Sequence, residues 1–162
     1  MALTPAQYAT LKAAILADAT LNAFPNTGDG NFDMAAQKLN VTATPAFIVW
    51  KGNVTVTQTG QSFNGTELAG LTTGNQSRLQ TIAQYFTGGY NAGLADVRQM
   101  FNDIFSGAGG ANTRTNLLAL WKRSALLGEK ILATGTGSDA TPATMGYEGS
   151  ISPTDVQVAR NS

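Results

Sequence analysis

The chain has 162 residues, enough for one domain with a sizeable core; 43% are hydrophobic, only 12% are charged, and ten basic residues balance ten acidic ones. Zero net charge without clustered Lys and Arg leaves no electrostatic footprint for a nucleic-acid backbone. The absence of Cys and His removes disulfides, Cys/His zinc sites, thiol nucleophiles and His-based triads from this chain's repertoire.

A surface this poor in charge must be covered largely by Thr, Asn, Gln, Ser, Gly and Ala, which suits a protein enclosed by neighbours. The N-terminal stretch lacks the basic region and continuous apolar core of a signal peptide. No apolar run approaches the roughly 18 residues of a membrane span, so synthesis in a cytoplasm and no membrane contact are expected.

Thr4-Pro5-Ala6-Gln7 reads as a helix start: Thr as N-cap, Pro at the first helical position, and Gln at N3 to complete a capping box. A helix over Pro5 to Asp18 follows, with Tyr8, Leu11, Ala14 and Ile15 as its stripe, and one further turn up to Phe24 is stopped by Pro25. Asn26 to Gly30 is a turn, from which Asp29 or Asn31 caps a short helix to Leu39. The oxygen-rich cluster Asn26, Asp29, Asn31 and Asp33 fails as a calcium loop, because the twelfth position, which needs a bidentate acid, holds Gln37.

Residues 40–63 read as an extended or hairpin insertion. Thr44-Pro45 disfavours helix, Phe47 to Trp50 is β-branched and aromatic, and Val54 and Val56 alternate with Thr across Lys51-Gly52-Asn53. Trp50 reads either as a core anchor or as an intersubunit one. Asn64 with Glu67 at N3, then Thr73 to Gln76, open helices to Leu71 and Thr87. Asn91 caps another carrying Leu94, Val97, Met100, Phe101, Ile104 and Phe105. Short Gly-rich connections make these helices antiparallel neighbours.

Asn112 to Thr134 is the longest helical pattern, with Leu117, Leu120, Trp121, Leu127, Gly128 and Ile131 on one stripe. Leu118, Ala125 and Leu132 broaden it, and Lys122, Arg123, Glu129 and Lys130 fall on a wet arc. So wide an apolar arc predicts one unbroken helix at the centre of a bundle. From Gly135 the pattern stops: four Gly, two Pro and eight Ser or Thr in 28 residues leave too few apolar side chains for a core. Met145, Tyr147, Ile151, Val156 and Val158 are spaced so that an extended arm can bury them on a partner, the other reading being a solvated tail. The fold class is thus mainly α: a helical bundle over 1–134 and an extended C-terminal arm over 135–162.

No catalytic set converges. Gly135-Thr136-Gly137-Ser138 follows a helix rather than a strand and lacks the Lys of a phosphate loop. Asp96 and Asp103 share a solvated helix side. No enzymatic activity, cofactor or metal is expected.

The stretches Leu3 to Asp18, Pro45 to Lys51 and Glu129 to Arg160 resemble a family of small tailed-bacteriophage virion proteins, the head-to-tail connectors or adaptors. The resemblance implies a subunit of a dodecameric ring at the head–tail junction, binding the portal protein and other neck or tail proteins and lying near packaged DNA without reading its sequence. The arm, with Arg160 beside its apolar residues and Trp50 from the bundle, then serves to dock on a neighbour or on the portal. Capsid decoration or tail completion are alternative virion roles. A reading from another class is a small phage enzyme or ligand-binding protein with a pocket near Trp50 and Tyr90.

Overall fold

The computed structural model describes residues 2–162. The fold is mainly α, 57% helical, with ten α-helices among the described residues and one two-stranded sheet. The helices are α1 Pro5–Ala17, α2 Ala19–Asn22, α3 Asp29–Leu39, α4 Val56–Gln61, α5 Gly65–Ala69, α6 Thr73–Tyr85, α7 Ala95–Ile104, α8 Ala111–Trp121, α9 Leu127–Leu132 and α10 Pro153–Asn161; the strands are β1 Ile48–Trp50 and β2 Lys122–Ser124.

The chain divides into two compact units. Unit 1 comprises residues 1–49 and 124–162, and unit 2 comprises residues 50–123. This differs from the division into a bundle over 1–134 and an arm over 135–162. The sequence boundary was placed where apolar density falls, whereas the observed one follows which residues share a core.

Unit 1 is built from both ends of the chain. In α1 the capping box forms as expected: Gln7 N–H donates to Thr4 Oγ1, and the Gln7 side-chain oxygen accepts from Thr4 N–H. Asp18 then caps α2, accepting from the Thr20 and Leu21 amides. Leu11 and Ile15 of α1, Phe32, Ala35 and Leu39 of α3, and Leu132 of α9 enclose one core.

That core also contains Tyr147, Ile151, Val156 and Ala159, so the C-terminal segment is no extended arm. Pro153 sits at the start of α10, Ser152 caps it, and Asp155 completes a capping box. The segment carries too few apolar residues for a core of its own, but it fills one whose remaining walls come from α1, α3 and α9. Asn40 fixes the entry by a two-point bracket, accepting from Ile151 N–H and donating to Ile151 C=O, both at 2.8 Å. Gly128 of α9 lets Ile151 approach closely: a Cβ there would lie 2.6 Å from Ile151 Cγ1.

The long helix expected over Asn112 to Thr134 is three elements. Its broad stripe serves two cores: Leu117 and Trp121 belong to unit 2, whereas Leu132 and Ala125 belong to unit 1. At Lys122 the backbone turns extended, with φ −104° and ψ 153°, and enters β2. Glu129, placed on the wet arc, is only 1% exposed; its carboxylate accepts from Leu126 N–H at 2.9 Å and Gly149 N–H at 3.0 Å.

Residues 40–63 do not form a hairpin. β1 pairs with the distant β2, and Val56, taken as strand, opens α4 behind a Thr55–Gln58 capping box. Ile48 and Val49 run extended through unit 1, where Ile48 N–H donates to Gly137 C=O and Ile48 C=O accepts from Ala143 N–H. Gly137, at φ +66°, makes room for the Phe47 ring, which a Cβ would meet at 2.2 Å.

In unit 2, α6 and α7 pack with α4 and α8 around Val54, Tyr90, Ala92, Val97, Phe101, Leu117 and Trp121. Glu67, assigned by sequence to its own helix cap, reaches instead to the α8 N-terminus. Its two oxygens accept from Asn112 N–H at 2.9 Å and Thr113 N–H at 2.7 Å, where an anion complements the helix dipole.

Two predictions follow from unit 1. Fully burying an aliphatic side chain is worth about 1.5–3 kcal/mol, and whole domains are stable by only about 5–15 kcal/mol. Deleting residues 151–162 is therefore expected to remove hydrogen-exchange protection from the α1 amides. Protection retained there would show that unit 1 folds without its C-terminal helix. The second concerns pH. Burial alone pushes the Asp155 pKa up, but hydrogen bonds from Ser152 Oγ–H and N–H and from Tyr8 Oη–H outweigh it and hold it below the ordinary carboxylate value. The resulting stability is fully present above the unfolded pKa of about 3.9 and fades as pH falls through the lower folded value. Asp155→Asn is expected to lower the melting temperature at neutral pH and to flatten its decline in that acid range.

Candidate functional site

The residues assigned to partner docking separate in the structure. Tyr147, Ile151 and Val156 are core residues of unit 1, and Tyr147 Oη–H donates to Ser150 C=O at 2.8 Å. Met145 is half-buried against Val49, Ala125 and Ala143. Arg160 is 9% exposed, its guanidinium turned to the Leu21 and Phe24 carbonyls. Of the arm residues named for docking, Val158 alone stays more than a third exposed, at 41%. Four of the six are thus spent inside their own unit: Tyr147 and Ile151 are buried on the way into α10, which turns Val156 and Arg160 inward and Val158 outward.

Trp50 is half-buried in unit 2 and packs against its core. The Arg98 guanidinium carbon lies 4.0 Å from its ring centre, within the range of a cation–π contact. Arg98 Nη1 also donates to Ala92 C=O. Desolvation pulls the Arg98 pKa down from its ordinary value.

A buried polar relay lies nearby in unit 2. Trp121 Nε1–H donates to Tyr90 Oη at 2.9 Å, and Tyr90 Oη is 2.8 Å from Thr59 Oγ1, itself 2.9 Å from Thr55 C=O. A hydroxyl has one proton. Every donor is satisfied when Thr59 donates to Thr55 C=O, Tyr90 donates to Thr59 and Trp121 donates to Tyr90. This directs the chain toward α4 and leaves no proton for a substrate. Burial raises the Tyr90 pKa although the Thr59 and Trp121 contacts work to lower it, so the phenol stays protonated.

Beside this relay is a cavity of about 80 Å³ lined by Val56, Thr59, Gly60, Phe63, Leu79, Ile82, Ala83, Phe86, Tyr90 and Phe101. It is where a ligand pocket near Tyr90 was expected, though Trp50 does not line it. The cavity is smaller than the roughly 150 Å³ apolar void that admits benzene, and its two hydroxyls are already paired.

A wider concavity of about 680 Å³ lies between α7 and α8, with Arg98, Asp103, Arg114, Leu118 and Trp121 on its walls. Arg114 Nη1 donates to the Phe105 and Gly107 carbonyls, closing the C-terminal end of α7, and Asp103 accepts from Gln99 Nε2 at 2.6 Å. The charges along it are used in holding backbone and neighbouring side chains. Among the described residues no group of three carboxylates converges as a metal site, and no helix is long and apolar enough to cross a membrane.

No family model, curated protein or solved structure matches the chain.

Sequence reasoning missed Glu67 as the anchor of α8 and Tyr90 as the centre of the relay. Each acts across more than 30 residues of sequence, and nothing in local spacing marks them. Tyr90→Phe keeps the ring but strands the buried Trp121 N–H, which costs about 1–3 kcal/mol. Equilibrium urea unfolding followed by Trp fluorescence is expected to register a loss of that size; an unchanged midpoint would show the relay to be energetically idle.

Proposed function

We propose that this chain is a non-enzymatic virion structural subunit, a connector or adaptor at the head–tail junction of a tailed bacteriophage. The observation that carries the reading is where the resembling stretches fall. Leu3 to Asp18 and Glu129 to Arg160, more than a hundred residues apart, supply Leu3, Leu11, Ile15, Leu132, Tyr147, Ile151, Val156 and Ala159 to a single core, and Phe47 and Val49 of the third stretch sit in the small cluster with Ala143 and Met145. All of these stretches except Trp50 and Lys51 fall in unit 1.

The surface supports the same reading. Leu16, Met34, Val41, Leu68, Tyr85, Leu94, Met100, Leu118 and Val158 are all more than a third exposed, Tyr85 reaching 82%, on a chain with only 12% charged residues. Heterologous contacts through such surfaces close into a ring when the rotation closes. Docking by a detached C-terminal arm is no part of this proposal, since those residues are committed within unit 1. Subunits meet through the faces of folded units.

Exposed positions tolerate substitution within about 0.5 kcal/mol. Replacing the nine exposed apolar residues by Asp one at a time is expected to leave the melting temperature nearly unchanged, while at least one replacement abolishes assembly into particles. The readouts are light scattering of the purified chain with portal protein and reconstruction of the parent particle. Density for the subunit between portal and tail supports the connector; density on the capsid lattice or at the tail tip assigns decoration or tail completion. A chain absent from the particle would end the virion reading.

A further inference from the structure

We propose that the groove between α6 and α7 is a docking surface for the same groove of a second copy of this chain, giving a two-fold dimer. The groove has a volume of about 430 Å³, with Arg78 and Ile82 on its α6 wall and Met100, Asp103 and Ile104 on its α7 wall. Asn75 Nδ2 near the start of α6 donates to Ile104 C=O at the end of α7 at 2.9 Å, so the two helices run antiparallel along it.

The exposure of α6 is the reason to look there. Its 13 residues include Leu79 and Ile82, which pack on the core of unit 2, yet none is fully buried. The other helices of ten residues or more, α1, α3, α7 and α8, each bury at least two. Arg78, Ile82 and Tyr85 share one side of α6, and Asp96, Met100 and Asp103 share one side of α7, each set at helical spacings of three and four. On those sides Tyr85 is 82% exposed and Met100 45% exposed.

The charges select the occupant. Arg78 is the only charged residue of α6, whereas the Met100 side of α7 presents Asp96 and Asp103, and Arg98 of α7 lies over the Trp50 ring. Among the described residues Arg78 has no hydrogen-bond or ion-pair partner, and Asp103 accepts from Gln99 Nε2 alone, so the two charges line one groove without meeting. A groove with a cationic wall and an anionic wall is complementary to itself turned over. A two-fold axis along it sets α6 of one copy against α7 of the other, brings each Arg78 to the other copy's Asp103, where a guanidinium fork fits a carboxylate, and closes Ile82 and Met100 over their counterparts. The four helices then pack as a small bundle. Leu16, Met34, Val41 and Val158, all in unit 1, take no part in this contact, which is a property of the chain alone and does not rest on the virion reading.

The test is sedimentation equilibrium of the purified full chain by itself, at about 1 to 500 µM, where a reversible dimer with a Kd of roughly tens of micromolar is expected. Arg78→Asp and Asp103→Arg each place like charges face to face twice per dimer and are expected to weaken association at least about tenfold, and the double reversal to restore it to within about threefold. Both positions are exposed, so the melting temperatures are expected to stay close to that of the parent chain; Arg78→Gln and Asp103→Asn replace them if a reversal unfolds the chain, with a loss of roughly threefold each. A chain that stays monomeric over the whole range overturns the dimer. Association that neither charge variant weakens, or that the double reversal fails to restore, overturns this groove as its interface.

Discussion

Unit 1 depends on one constraint: the two ends of the chain must meet. The first helix packs on α2 beside it but also on α9 and α10 far along the chain, and the last helix has Val156 and Ala159 facing inward and nothing of its own to cover them. Neither face is satisfied until α1, α3, α9 and α10 close over one another. Tyr8 Oη–H to Asp155 at 2.9 Å, the Asn40 bracket on Ile151 and the Gln7 amide to Gly146 C=O at 2.7 Å are the polar contacts that set the register of that closure. Loop-closure entropy rises only slowly with length, so bringing residues about 150 apart together is tolerable once enough apolar surface is buried.

This constraint shapes what the molecule offers to others. A disordered arm can wrap a partner and order upon it, but a helix already buried in its own unit has no such freedom. What the C-terminal segment and its neighbours expose is therefore fixed: apolar side chains on folded elements. In unit 2 two buried polar networks are closed on themselves. The Trp121–Tyr90–Thr59 chain and the Glu67 carboxylate at the start of α8 each spend buried polar atoms on holding elements together. Satisfied networks of this kind specify one packing.

How far the sequence was readable depended on the range of the interaction. The capping boxes at Thr4–Gln7 and the stripes of α1, α3 and α7 were legible because they are set by residues three and four apart. The device at Ser152-Pro153-Thr154-Asp155 is the one recognised at Thr4-Pro5-Ala6-Gln7, but it stood in a Gly- and Ser-rich segment whose composition argued for disorder. The local signal was right and the compositional one misled. The reverse happened at Lys122 to Ser124, where a continuous helical pattern concealed a switch between two cores. Val54 and Val56 alternated with Thr as a strand does, and the Thr55–Gln58 capping box decided for helix.

From the sequence alone came the mainly helical class, most helix starts, and the chemistry that a chain without His or Cys lacks. These are matters of composition and short-range geometry. Only the tertiary structure decided that the C-terminal residues are core, that Glu129 is buried, that Glu67 serves another helix and that Arg160 closes on the Leu21 and Phe24 carbonyls. Each of these is a pairing between residues distant along the chain. Spacing says which side of a helix a residue occupies; only the packed fold says what lies opposite, and burial and charge balance are determined by what lies opposite.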